Sequence, residues 1–387
     1  MGAHAKHAAA ESTSMRRTAL AVIVPIAVLT LVGMVWLWPS QGVPAPGSSG
    51  SAPQVDGEVL ALQRETCEEE LPDEVNGCGT ARVRVTSGAD EGAEAVVPLP
   101  NGPGAPLIAA GDEVVLIESS SPDGTTYSVV DHQRATELWV LLGAFALALV
   151  AFGRWRGVSA LAGLAVTFAI LLFFVVPAIL AGEPPLLVAI VGAAAITLTV
   201  LYLTHGFASS TTIAVLGTLL SLALTGVLSA VAVSALHLTG ITDDISTSVN
   251  VSYTVNMQGL LLAGIVIGSL GVLDDVTVTQ AATVTELGRA NPGYGVVELY
   301  RAATRVGRSH IASVVNTIIL AYAGSSLPLL ILIVANEDSL GMVLTDQIIA
   351  QEIVRSVVAT LGLVAAVPIT TGLAAVTVRR AGRPADR

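Results

Sequence analysis

Lysine is nearly missing from this chain: of 18 basic residues, 17 are arginines and only Lys6 is a lysine. A Walker-type phosphate loop, a Schiff base to pyridoxal phosphate or retinal, and the Asp-Lys-Thr-Gly motif of P-type pumps each need a lysine at the chemical centre. Lys6 lies in a polar N-terminal stretch and can serve none of them, so ATP hydrolysis by this chain is excluded. Cysteine is almost as scarce. Cys67 and Cys78 have no neighbours in haem or iron–sulfur spacing, which argues against a redox cofactor, and no cofactor of any kind is expected. Charged residues make up 12% of the chain, where a soluble domain carries roughly 25%. No Gly-x-Ser-x-Gly, His-Glu-x-x-His or zinc-spaced motif occurs, so the chain does not read as an enzyme, and no nucleic-acid partner is expected.

What is present is apolar: 53% of 387 residues are hydrophobic and the mean hydropathy is +0.74. Apolar runs of about 20 residues recur, the length a helix needs to cross the hydrocarbon core of a bilayer. Segments at 19–38, 137–153, 158–181, 186–204, 210–237, 257–274, 311–334 and 355–378 predict an α-helical polytopic membrane protein with about eight transmembrane helices. The first segment follows Arg16 and Arg17 and exceeds the roughly 7–15 apolar residues of a signal peptide, so it reads as a retained anchor. Met15 competes with Met1 as the start, because residues 1–14 are small and polar. Arginines set the orientation, since short cytoplasmic loops retain them. With the N-terminus inside, 13 of the 18 basic residues are cytoplasmic, among them Arg154, Arg156, Arg289, Arg301, Arg305, Arg308, Arg379 and Arg380. Both termini, 1–18 and 379–387, are then cytoplasmic tails.

Residues 39–136 break the pattern. A Pro/Gly/Ser linker, Pro39 to Pro53, leads into short β-branched runs at Gly57–Leu62, Thr80–Thr86, Glu94–Leu99, Glu113–Glu118 and Thr126–Val130, separated by turn residues. They predict a small all-β domain, OB-like, inserted on the extracytoplasmic side between the anchor helix, 19–38, and a seven-helix membrane domain, 137–378. The segment holds 16 acidic and four basic residues, a balance of −12 that equals the formal charge of the whole chain. Its two cysteines sit on the oxidising side of the membrane and are expected to form a disulfide, Cys67 to Cys78. They enclose Glu68, Glu69, Glu70, Asp73 and Glu74, which read either as a divalent-cation loop or as a solvated hairpin; the sequence names no metal.

An ionisable group inside a span costs about 2.5–3.5 kcal/mol at mid-depth and needs a reason to be there. The sixth segment runs directly into Asp274 and Asp275. If the helix continues, Asp275, Thr279, Thr283 and Glu286 fall on one stripe, and upstream Gly264, Gly268 and Gly271 let another helix approach. Alternatively the span ends at Leu273 and Asp274 caps an interfacial helix. Asn316 and Thr317 on the next span join the candidate ion path. Glu352 and Arg355, spaced i, i+3, form a candidate ion pair; His205 and His310 stand at helix starts, and Pro177 and Pro368 predict kinks.

The runs Leu270-Gly271-Val272-Leu273-Asp274-Asp275-Val276-Thr277-Val278-Thr279-Gln280, Val306-Gly307-Arg308-Ser309-His310-Ile311-Ala312-Ser313 with Asn316-Thr317, Leu320-Ala321-Tyr322-Ala323-Gly324, and Glu352-Ile353-Val354-Arg355 resemble the YibE/F family of bacterial multi-pass membrane proteins in its actinobacterial form. The likeness covers about residues 55 to 378, including the Gly153-Arg154-Trp155-Arg156-Gly157 turn. It implies an integral protein of the bacterial plasma membrane with an extracytoplasmic β-rich segment, compatible with a permease, and leaves the chemistry open. Two functions fit. One is an ion-gradient-driven permease or channel for a small ion or solute, in which Asp275 on the stripe is the residue expected to matter most. The other is a non-transporting scaffold or sensor whose acidic domain binds a partner or cation. Besides the lipid bilayer and such a solute no partner is legible, and neither is an oligomeric state.

Overall fold

The computed structural model describes residues 21–39, 53–67, 75–121, 124–253, 255–335, 343 and 345–381. Lys6, Arg16, Arg17, Arg383 and Arg387 of the tails, linker residues 40–52 and the acidic run 68–74 lie outside the described residues. The chain groups into two compact units, Met1–Ala45 with Trp155–Arg387, and Pro46–Arg154.

In the second unit, β1 (Gln54–Glu65), β2 (Cys78–Val85), β3 (Glu94–Pro98), β4 (Glu113–Ser121) and β5 (Gly124–His132) fall on the five β-branched runs. All pairs are antiparallel and the order is β3-β2-β1-β4-β5, a small half-barrel. Alternation fixes the register. Val55 and Val59 of β1, Ala81, Val83 and Val85 of β2, Val97 of β3, and Val114 and Leu116 of β4 turn inward and are buried, while Arg84 reaches Glu58 across the outer face at 3.3 Å. Gly57 is bare because a Cβ there would stand 2.7 Å from Leu116 Cδ1. Cys67 and Cys78 are paired as a disulfide, their Cα atoms 5.2 Å apart. The irregular connection between β3 and β4 is held by buried Asn76. Its Nδ2 donates to the carbonyls of Pro100 (2.6 Å) and Pro106 (2.8 Å), and its Oδ1 accepts from Ile108 N (2.9 Å). The unit ends in α2 (Ala135–Gly153), a 19-residue helix, apolar on all sides, with no buried residue, as expected where the solvent is lipid.

The first unit contains α1 (Ala21–Trp36), α3 (Trp155–Leu180), α4 (Pro185–His205), α5 (Ser209–Ala235), the short α6 (Asp244–Ser252), α7 (Met257–Ala290), α8 (Val296–Ser325), α9 (Leu327–Ala335) and α10 (Gln347–Ala381). Among the described residues, α2, α3, α4, α5, α7 and α10 are the six helices long and apolar enough to cross a membrane. The remaining two hydrophobic segments fall on α1 and on the C-terminal half of α8 with α9. At the centre α5, α7 and α10 pack pairwise. α4 covers α7, α3 covers α4, and α8 lies against α7 and α10. Leu222, Val266, Leu270, Leu273, Leu363 and Val367 fill that centre. Pro177 follows one residue after a π-helical turn, Leu171–Val175, a local widening at the place where proline's missing N–H leaves a carbonyl without its usual donor. Pro368 lies inside α10, which continues through it.

Candidate functional site

Helix α7 is unbroken over 34 residues, about 51 Å, and its N-terminus is capped by Asn256, whose side chain accepts from Gly259 N at 2.7 Å. Asp274 and Asp275 therefore sit in mid-helix, and neither caps anything. Successive residues differ by about 100° around a helix, so the two carboxylates diverge. Asp275 points outward with 68% of its side chain exposed, its Oδ2 3.9 Å from His310 Nε2 on α8. The rest of its stripe follows it out. Thr279 is exposed, Thr283 returns its hydroxyl to the Thr279 carbonyl at 2.8 Å, and Glu286 pairs with Arg289 at 2.7 Å on the surface.

Asp274 turns the other way. It heads an inward polar row with Thr277 and Gln280 on the face of α7 that meets α4, α5 and α10. Its carboxyl faces the hydroxyls of Thr197 on α4 and Thr218 on α5. Yet Asp274 Oδ1 and Thr197 Oγ1 are both buried and complete no hydrogen bond among the described residues. The Thr218 hydroxyl instead pairs with that of Thr277 at 2.7 Å. One and a half turns on, Gln280 Nε2 donates to the Ala303 carbonyl of α8 (3.1 Å) and to Thr371 Oγ1 of α10 (2.7 Å), joining three helices through one amide.

From Thr218 a ladder of hydroxyls climbs α5: Thr218, Ser221, Thr225 and Ser229, at offsets of 0, 3, 7 and 11, each 0% exposed. It spans about 16 Å. Close packing against α10 seals it. A Cβ on Gly362 would run into the Thr225 hydroxyl, and one on Gly217 into the Thr370 hydroxyl. Thr225 and Ser229 donate to carbonyls one turn back, whereas Ser221 Oγ and Thr370 Oγ1 are buried without a partner. On the side of α7 facing α3 and α4, a cleft of about 510 Å³ is lined by Thr167, Thr204, His205, Gly268, Gly271 and both aspartates.

The other sequence candidates lie elsewhere. Asn316 and Thr317 are exposed on α8, the latter bonded to the Ser313 carbonyl at 3.1 Å. Glu352 and Arg355 do pair, at 3.0 Å, near the N-terminal end of α10. No group of three or more His, Cys, Asp or Glu side chains placed to hold a metal exists among the described residues. Thr197 and Thr218 are not singled out in the sequence, and Thr277 and Gln280 stand there only within the family-like run with no role of their own, although the hydroxyl spacing on α5 is a visible helical stripe.

In comparison with known proteins, the family model described as YibE/F-like protein matches residues 141–380. No curated protein and no solved structure gives a match.

Proposed function

The chain belongs to the YibE/F-like family, and on that premise we propose that it is an ion-gradient-driven permease of the bacterial plasma membrane, not an enzyme, with Asp274 as the group that takes up and releases a proton or small cation. The observation that carries this reading is a carboxylate oxygen buried in mid-helix, its carboxyl facing two threonine hydroxyls, with no hydrogen bond of its own among the described residues. An ionised carboxylate with a buried, unbonded oxygen is costly unless an ion or proton comes to it, and carboxylates so placed are how transporters couple to gradients. The 510 Å³ cleft gives Asp274 an approach from one side.

The same proposal has eight spans, adding α1 and the apolar part of α8 with α9 to the six long helices, and both termini in the cytoplasm, as the arginine distribution favours. The half-barrel is then extracytoplasmic, and its strand order supports the OB-like reading. The test is flux in proteoliposomes over a panel of mono- and divalent cations and small organic anions, with and without a pH gradient. Asp274→Asn keeps volume and hydrogen-bonding reach while removing the charge. It should bring flux down to the level of empty liposomes in a protein that stays monodisperse, while Asp275→Asn leaves measurable flux. Wild-type flux in the Asp274→Asn protein would refute the assignment.

A further inference from the structure

One face of the bundle is polar where lipid would lie. On α7 Gly264, Gly268, Gly271, Asp275 and Thr279 make an exposed stripe. A Cβ built on Gly264 or Gly271 meets no atom within 4 Å, so this stripe is a shallow trough. Beside it runs α8, whose outward face presents Arg305, Ser309, Ala312 and Asn316 at spacings of 4, 3 and 4 residues, all exposed. Asn316 lies within the apolar stretch that begins at Ile311. It makes no hydrogen bond among the described residues, and an amide in hydrocarbon needs a partner. The charges add direction to this. Arg301, Arg305 and Arg308 are exposed with no ion-pair partner among the described residues, while the neighbouring trough carries the exposed Asp275 carboxylate.

A basic, small-residue ridge next to a glycine trough with an acid in it is self-complementary: a twofold axis along the membrane normal lays the ridge of each copy into the trough of the other, and the contact closes on itself. We propose that the α7–α8 face is the interface of a twofold homodimer, in which α8 of one copy packs along the α8-side edge of the glycine trough of α7 in the other, leaving open the α3–α4 side on which the cleft to Asp274 lies, and Arg305 meets the partner's Asp275. Gly264 and Gly271 let the backbones approach closely, and Ser309, Ala312 and Asn316 are short enough to allow it. His310, which approaches Asp275 within one chain, sits about 140° around α8 from Arg305. An Arg305–Asp275 pair therefore forms between chains and not within one.

Full-length protein in nanodiscs, with stoichiometry read by single-molecule photobleaching over a range of protein-to-lipid ratios, tests this. Wild type should be dimeric, and Arg305→Asp or Asp275→Arg alone should weaken dimerisation about tenfold or more. The two changes combined in one chain should restore it, which misfolding of either single variant could not imitate. In parallel, Gly271→Cys and Asn316→Cys placed on differently tagged chains should cross-link heterologously on oxidation. A wild-type protein monomeric at every ratio, a dimer unmoved by both single changes, a combination that fails to restore it, or cross-links confined to single chains would each overturn the proposal.

Discussion

Asp243 accepts a 2.6 Å hydrogen bond from Ser246 N, and Ser246 Oγ in return accepts from Asp243 N at 3.1 Å, a reciprocal cap that starts α6 outside the spans. The bond from the Ser246 backbone foremost, and the Ser246 hydroxyl beside the carboxyl after it, hold the Asp243 carboxyl below the usual aspartate range. A carboxyl whose folded value is depressed stabilises above its unfolded pKa of about 3.9 and loses that contribution as pH falls through the lower folded value. Protection of the amides of residues 244–252 from exchange, taken relative to the intrinsic rate at each pH, should therefore fall below about pH 4 in the wild type. Asp243→Ala should open α6 by about 1 kcal/mol at neutral pH, and Asp243→Asn should keep the cap and lose the pH dependence. At this same scale lies the division between Asp274 and Asp275. Both aspartates stand out in the sequence, but which one turns inward depends on which neighbours pack against α7. Asp275 shares its side with Gly264, Gly268 and Gly271, and that glycine side is the one the bundle leaves open. Nothing in the periodicity of one helix contains that fact.

Among the elements, the contact of α5 with α10 is the tightest test of packing. Gly362 faces Thr225 with no room for a Cβ, while Gly372, ten residues on in the same helix, has nothing within 4 Å. Gly362→Val should destabilise the bundle by about 1–3 kcal/mol relative to Gly372→Val, which carries the same change in helix propensity, as read by thermal unfolding of the two purified proteins. The five strands and the hydrophobic segments were legible because period-2 alternation and long apolar runs survive in any sequence window. The ends of α7 and α8 were not. Hydropathy falls at Asp274, yet the backbone bonds of a helix are indifferent to side-chain polarity and α7 runs on to Ala290. Likewise α8 begins at Val296, fifteen residues before its apolar stretch, because Leu299, Ala303 and Gly307 give its polar half a buried edge against α7 and α10. The α5 ladder was overlooked for the opposite reason: four small hydroxyls scarcely lower the hydropathy of a 27-residue span.

For the molecule as a whole, the arginine distribution predicts sidedness. A cysteine in place of exposed Thr125, in the β4–β5 hairpin, should react with an impermeant maleimide added to intact cells. One in place of Gly293, between α7 and α8, should react only after permeabilisation. Labelling of the Gly293 variant from outside would reverse the orientation and with it the direction of the proposed transport. The central trio also orders events in time. Residues 347–381 are translated long after α5, and until they arrive the hydroxyls of Thr218, Ser221, Thr225 and Ser229 lack the helix that seals them. If the bundle assembles in a bilayer, as proposed, Thr225 and Ser229 are covered meanwhile by bonds to carbonyls of their own helix, and Ser221 is the hydroxyl of the four that, among the described residues, waits for α10 with no bond of its own.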